Sequence, residues 1–397
     1  MDTSNQNNDS LLQKLKNNFE TYSMYYILAI IVVLFQVLTN GTLLRPLNIT
    51  NIILQNGYIL ILAIGMLLVI ILGDVDLSVG SIVAFVGAMS AIFSIRMGLS
   101  TPVTILLSLG IGALIGAFNG FWVAYVRVPA FIATLASLLI FRGLTIVVLD
   151  GRTLSPYRDS FRMLGSGFLP DFLNGGNLHL TTLIIGILIV VLYMGSALYS
   201  RKQRVDRDAP VEPMSAFLGK RIGVSVALLL ITYVMADYEG FPNILIILTF
   251  LILIYRFITT NTTAGRHLYA TGGNEEAAEL SGINTRKVKF LAFVNMGVLS
   301  AVAGLVFASR LNAATANAGD GFELDAIAAA YIGGASASGG VGTVIGAIIG
   351  GLVMGVLNNG MSIMGIGVDW QQAIKGVVLI LAVTLDIYNR NKAKIGG

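Results

Sequence analysis

Long apolar runs separated by short polar breaks dominate this chain. Runs near the length of a bilayer-crossing helix, about 20 residues, lie at about 24–39, 52–72, 78–97, 101–126, 129–149, 181–200, 222–237, 242–258, 287–308 and 370–388. The stretch at about 324–357 is also apolar, but GGASASGGVG at 333–342 cuts it. The pattern predicts an all-α polytopic membrane protein with about ten transmembrane helices. The cut stretch predicts a further re-entrant hairpin of two short halves, broken at its glycines. Backbone that irregular is tolerated at membrane depth only where protein or a water-filled cavity satisfies it.

Small residues then predict how the helices pack. Gly112, Gly116 and Gly120 recur every four residues, as do Gly342, Gly346 and Gly350. Each set lines one helix face and lets a neighbour come close. GIGALIG at 110–116 brushes against a dinucleotide fingerprint, but no strand precedes it and it lies in mid-span. The stretches 52–97 and 324–357 share a loose plan of apolar helix, small polar break and Gly-rich helix, a faint internal repeat of the sort transporters carry.

Composition agrees with the pattern. Of 397 residues, 55% are hydrophobic and only 12% charged, against about 25% charged in a soluble domain. There are no cysteines and only two histidines, His179 and His267, so thiol chemistry is excluded and a histidine-rich metal site is not expected. A net charge of +4 would suggest acidic partners in a soluble protein; here its placement matters more, and no nucleic-acid partner is expected. With the N-terminus inside, the basic loops at about 127, 201–221 and 259–287 and the NRNKAK tail all fall inside, while the outside loops hold no lysine. Both termini are therefore expected to be cytoplasmic. The expected organisation is a cytoplasmic N-terminal segment at 1–23, a membrane domain at 24–388 carrying a charged insert (201–221) and a polar loop (259–287), and a cytoplasmic tail at 389–397.

One interruption does not read as an ordinary loop. TGGNEEAAELSGINTRKVK, 271–289, sits between strongly apolar runs. Asn274 is a good N-cap, and Glu275 and Glu276 stand in the first turn where negative charge suits the helix dipole. Ala277 and Ala278 are strong helix formers, and Gly282 stands where a left-handed cap is wanted. Two turns are too short to persist alone in water, so the element must dock. Interfacial helices usually present basic and bulky apolar side chains; this one presents acids and alanines, a shape suited to a groove on a cytosolic protein.

Several blocks in a fixed order carry a family resemblance. They are GMLLVIILGDVDLSVGSIVA (65–84), GAFNGFWVAYVRVPAFIATLASLLIFRG (116–143), GRHLYATGGNEEAAELSGI (265–283), ELDAIAAAYIGGASASGGVGTVIGA (323–347) and NNGMSIMG (358–365). Together they resemble the bacterial ABC importer permeases of the branched-chain type that serve ribose, xylose, arabinose and galactose. The insert RKQRVDRDAPVEPMSAFLGKR (201–221) is similar to that of the xylose and multiple-monosaccharide branch. The resemblance implies a permease subunit in the bacterial inner membrane, homodimeric, with a cytosolic ABC ATPase of two fused nucleotide-binding halves and an extracytoplasmic sugar-binding protein. It also implies that 265–283 is the coupling loop and its helix at 275–281 the coupling helix, with Asn274, Glu275, Glu276, Ala277, Ala278 and Gly282 engaging the ATPase.

The remaining polar residues are candidates for a sugar path. Asp74 and Asp76 follow an apolar run directly; an ionised carboxylate in a membrane marks a function or a paired site, although Asp76 or Ser78 equally suits a cap of the next helix. Arg142 lies deep in a predicted span and needs a partner, with Asp325 or the Asp74/Asp76 pair as candidates. Asn119, Asn358 and Asn359 can bond sugar hydroxyls without charge, or bond helix to helix. Lys375 is placed to snorkel. The outer stretches 161–176, 237–243 and 309–323 are candidates for the face that receives a binding protein. No phosphate-binding loop is present: Gly219-Lys220 is followed by Arg221, and Met214 stands where the first glycine belongs. ATP hydrolysis must then lie in another chain, and no cofactor or enzymatic activity is expected of this one. The rival reading is a self-sufficient secondary carrier or channel, with Asp74/Asp76 as its coupling carboxylates.

Overall fold

The computed structural model describes residues 24–395, apart from Asn174, Asn177 and Pro210. The expected N-terminal segment, 1–23, and the last two residues of the expected tail lie outside the described residues. A short apolar helix, α1 (Met24–Leu38), opens the described chain. Among the described residues nine helices are long and apolar enough to cross a membrane. They are α2 (Pro46–Ile71), α3 (Val79–Ala91, continued by a π turn to Arg96), α4 (Thr101–Ala124), α5 (Ala130–Leu149), α7 (Leu180–Val205), α8 (Met214–Ala236), α9 (Asn243–Asn261), α12 (Thr285–Leu311) and α14 (Val344–Ile363). Short helices α6 (Asp159–Arg162), α10 (Thr263–Gly273), α11 (Glu275–Leu280) and α13 (Phe322–Ile332), and the long α15 (Val368–Ile395), complete an all-α, multi-pass membrane protein.

Proline punctuates this order. Pro46 and Pro102 lie in the first turns of α2 and α4, and Pro129, Pro213 and Pro242 immediately precede α5, α8 and α9. Each supplies a pre-set φ where no intrahelical N–H is needed.

The core is built around α2, whose C-terminal half is buried from Ile59 to Ile71. Helices α9, α12, α13 and α14 pack on it, while α4, α5, α7, α8 and the far side of α9 turn apolar side chains such as Leu106, Val147, Leu192 and Phe250 outward. The glycine stripe of α4 lies against α12 as the spacing predicts. A Cβ on Gly112 would meet the Gly297 carbonyl oxygen at 2.5 Å, and one on Gly120 the Phe290 carbonyl oxygen at 2.9 Å. Gly346 and Gly350 likewise press on the backbone of α13 at Gly333 and Ala329. Gly342 does not join them. It lies before α14, in the connecting loop, with φ +152.

The broken hairpin differs from expectation. Its arms are unequal, 11 residues in α13 and 20 in α14. The stacking of Phe322 on Tyr58, midway along α2, sets the start of α13 halfway through the bundle. The return through α14 then runs along most of α2, from Gly342, just before the helix, beside Leu67 to Asn359 beside Asn48. The loop joining α13 to α14 reaches the end of α2, where the Gly340 amide donates to the Ile71 carbonyl at 2.8 Å. The two broken stretches thus lie side by side, with their breaks at the same end of the molecule. The expected insert also shrinks: α7 continues to Val205 and α8 begins at Met214, leaving a short linker. Helix α15 continues through the tail expected from 389, as far as Ile395.

Candidate functional site

The acidic interruption folds as the two short helices α10 and α11, at the end of the bundle where α2 stops. The side chain of Asn274 accepts from the Ala277 amide at 2.9 Å, capping α11. Its other end closes through Gly282, whose φ of +83 is left-handed; the Gly282 amide donates to the Glu279 carbonyl at 2.9 Å and the Ile283 amide to that of Ala278 at 3.0 Å. Three contacts dock it. Ala278 is buried, Lys289 of α12 binds Glu275 at 2.7 Å, and Gly272 of α10 packs on the Ile71 carbonyl so closely that a Cβ there would collide.

The face turned outward is not quite the expected one. Glu275, Glu276, Ala277, Glu279 and Gly282 are exposed, whereas Ala278 points inward and holds the helix in place. Leu280, two residues on and about 200° around the helix, is 91% exposed. Sequence reasoning passed over Leu280; the available signal was a single large apolar side chain in a helix otherwise of acids and alanines.

Beside this helix runs a charged groove of about 580 Å³, lined by Asp74, Arg127, Glu275, Glu279, Arg286 and Lys289. Asp74 therefore belongs with the α10–α11 surface. Burial pushes its carboxyl above the usual range, Lys289 pulls it back and Glu275 adds to the rise.

Asp76 does something different. Its Oδ1 accepts from the Ser78 amide at 2.8 Å and from the Ser78 hydroxyl at 2.5 Å, and Asn119 of α4 donates to that hydroxyl at 2.8 Å. All three side chains are buried. Thr134 of α5 accepts from the Leu77 amide at 3.1 Å. This network ties the break between α2 and α3 to α4 and α5, and fixes where α3 begins.

The expected partners of Arg142 are wrong. Its guanidinium donates to the carbonyls of Ala316 and Ala318, at 3.3 and 2.7 Å, and lies 3.8 Å from the exposed Asp320. Backbone carbonyls of the chain leading into α13 satisfy it, because that stretch passes beside α5 as a series of turns whose carbonyls are not spent in a helix. Asp325 is taken instead by Lys375 of α15, at 3.0 Å, with Asn358 within hydrogen-bonding reach. Lys375 accordingly does not snorkel. Asn359 and Asn48 exchange side-chain hydrogen bonds at 2.9 and 3.1 Å, joining α14 to α2. Hydrogen-bonding side chains gather instead in a cavity of about 240 Å³ between α13 and α15, lined by Asp320, Glu323, Gln371, Gln372 and Lys375. The sequence reading named neither glutamine nor Glu323.

Comparison with known proteins now bears on this geometry. The family model described as branched-chain amino acid transport system / permease component matches residues 48–383. The chain belongs to this family. Across 96% of its length this permease is 40% identical to the "Xylose transport system permease protein XylH" of Haemophilus influenzae, covering 99% of that protein. It is 39% identical to the protein of the same name from Escherichia coli K12, over 95% of this chain and 94% of the relative. The "Ribose import permease protein RbsC" of Escherichia coli K12 is 34% identical over 85% of each chain. No solved structure matches the chain. The matched region spans the broken hairpin, the Asp76 network and the α10–α11 surface.

Proposed function

We propose that this chain is the membrane subunit of an ATP-driven importer in the bacterial inner membrane, translocating xylose or a closely related aldose. The observation that carries the reading is the end-to-end similarity to proteins named as xylose permeases, stronger and fuller than that to the ribose permeases. In this reading α11 faces the cytosol and is the coupling element, with both termini on the same side. Two copies form the path, a cytosolic ATPase of two fused halves grips Glu276, Ala277, Glu279 and Leu280, and a binding protein delivers the sugar at the opposite face. The pathway candidates divide by role. Asp76, Ser78 and Asn119 hold the α2–α3 break, Arg142 holds the chain entering α13, and Asn359 joins helices. The side chains placed to meet a sugar are those lining the α13–α15 cavity, Glu323, Gln371 and Gln372.

Purified permease in proteoliposomes tests the reading. Xylose uptake is expected only when the ATPase, ATP and binding protein are all present. Uptake driven by an imposed proton or sodium gradient alone identifies a secondary carrier instead.

A further inference from the structure

The charged stretch between α7 and α8 contributes nothing to coupling or to the helix breaks, yet it forms a built cavity. An open cavity of about 310 Å³ lies where the ends of α7, α8 and α9 meet, with four arginines on its walls: Arg201, Arg204, Arg221 and Arg256. Two of them are held rigidly. Arg201 donates to the Glu212 carbonyl at 2.8 Å and lies 4.9 Å over the Phe217 ring; Arg221 donates to the Tyr193 hydroxyl at 2.8 Å and lies 5.5 Å over each of the Tyr193 and Phe217 rings. These contacts leave guanidinium donors unspent. The Nε of Arg221 is buried with no hydrogen-bond partner among the described residues, and a buried unpaired donor of a charged group is costly.

The single carboxylate on the wall does not neutralise them. Glu212 binds Lys220 at 2.7 Å, and that hydrogen bond holds its carboxyl below the usual range. The cavity therefore keeps a strong positive field, and planar guanidinium forks suit the oxygens of a phosphate. Its position selects the phosphate's carrier. Helices α7 and α8 turn nearly all their apolar side chains away from the bundle, toward lipid, and the arginines stand at the ends of these membrane-length helices, at headgroup level. Basic pockets between transmembrane helices hold anionic lipid headgroups.

We propose that the α7–α8–α9 cavity is a binding site for the phosphate headgroup of an anionic phospholipid, seated from the leaflet on the α10–α11 side. Such a lipid would supply the missing acceptor to Arg221 and pin the otherwise weakly packed α7–α8 pair to α9.

The test uses the purified full-length permease in neutral detergent, with retained lipid counted by native mass spectrometry against added dioleoyl-phosphatidylglycerol or dioleoyl-phosphatidylcholine. Selective retention of phosphatidylglycerol is expected, weakened about fivefold for each arginine removed in R204Q and R256Q, since each cation near an anionic surface contributes about 1 kcal/mol. Both side chains are exposed, and unchanged melting in phosphatidylcholine micelles checks that the variants are folded. R45Q/R152Q, at the other end of the helices, is expected to retain the lipid like the wild type. Equal retention of the two lipids, or equal loss in R45Q/R152Q, overturns the proposal. So does binding of millimolar inorganic phosphate to lipid-free protein without selective phosphatidylglycerol retention, which marks a soluble-anion site.

Discussion

Lys375 reaches from α15 to a carboxylate, Asp325, that is 2% exposed. Removing one member of such a pair leaves the other charged and buried, at a cost of about 3–5 kcal/mol, whereas removing both costs far less. K375M is therefore expected to lower the melting temperature in detergent clearly, and D325N/K375M to recover most of the loss. Melting of K375M at the wild-type temperature would show that water, not the pair, carries Asp325. Asp74 yields a prediction with the opposite sign. Its folded carboxyl is raised by burial, so the ionised form costs stability above that raised value, and the cost disappears as pH falls through it. D74N should melt higher than the wild type at neutral pH and equally at acidic pH. A thermal melt series across pH checks both limbs. The charges were legible as anomalies in an apolar chain; their partners were not. Arg142 meets carbonyls 174 and 176 residues away, and no local pattern records which loop will descend beside it.

Between residue and molecule, the glycine loops join broken elements. GGASASGGVG marked the break correctly, because a run of small residues cannot sustain a helix interior. It did not show where the first arm begins. The stretch from Asn312 to Gly321 crosses half the bundle without helix, leaving α13 only 11 residues long, and α14 takes the whole return. Periodicity detects helices, and irregular, turn-rich backbone inside a bundle leaves no such trace. Where α10 meets this assembly, Gly272 abuts the Ile71 carbonyl and lies against Gly340. A side chain there must push α10 off the end of α2, and such overpacking costs about 1–3 kcal/mol. G272V is expected to insert and fold while hydrogen exchange rises across 262–282. Exchange indistinguishable from wild type would mean that α10 is not seated by this contact.

At the scale of the whole molecule, force applied to α11 has a continuous route into the membrane. The helix is tied to α12 through Lys289 and, by way of α10, to the end of α2 and the α13–α14 loop. Those contacts join both breaks, so displacement of α11 moves the two interrupted stretches together. The side chains it presents outward decide whether a partner can grip it. Burying Leu280 fully would contribute about 1.5–3 kcal/mol, or roughly 10- to 100-fold in affinity. L280E should therefore abolish stable assembly with the ATPase. E275K/E276K is expected to leave assembly weakened and sugar-stimulated ATP hydrolysis lost, because Glu275 also anchors α11 through Lys289. The permease itself should insert and melt normally in L280E, since Leu280 touches almost nothing within the chain. Co-purification with the ATPase, followed by hydrolysis assayed with and without loaded binding protein, separates the two effects. Full stimulated hydrolysis in both variants would remove α11 as the point where the force enters.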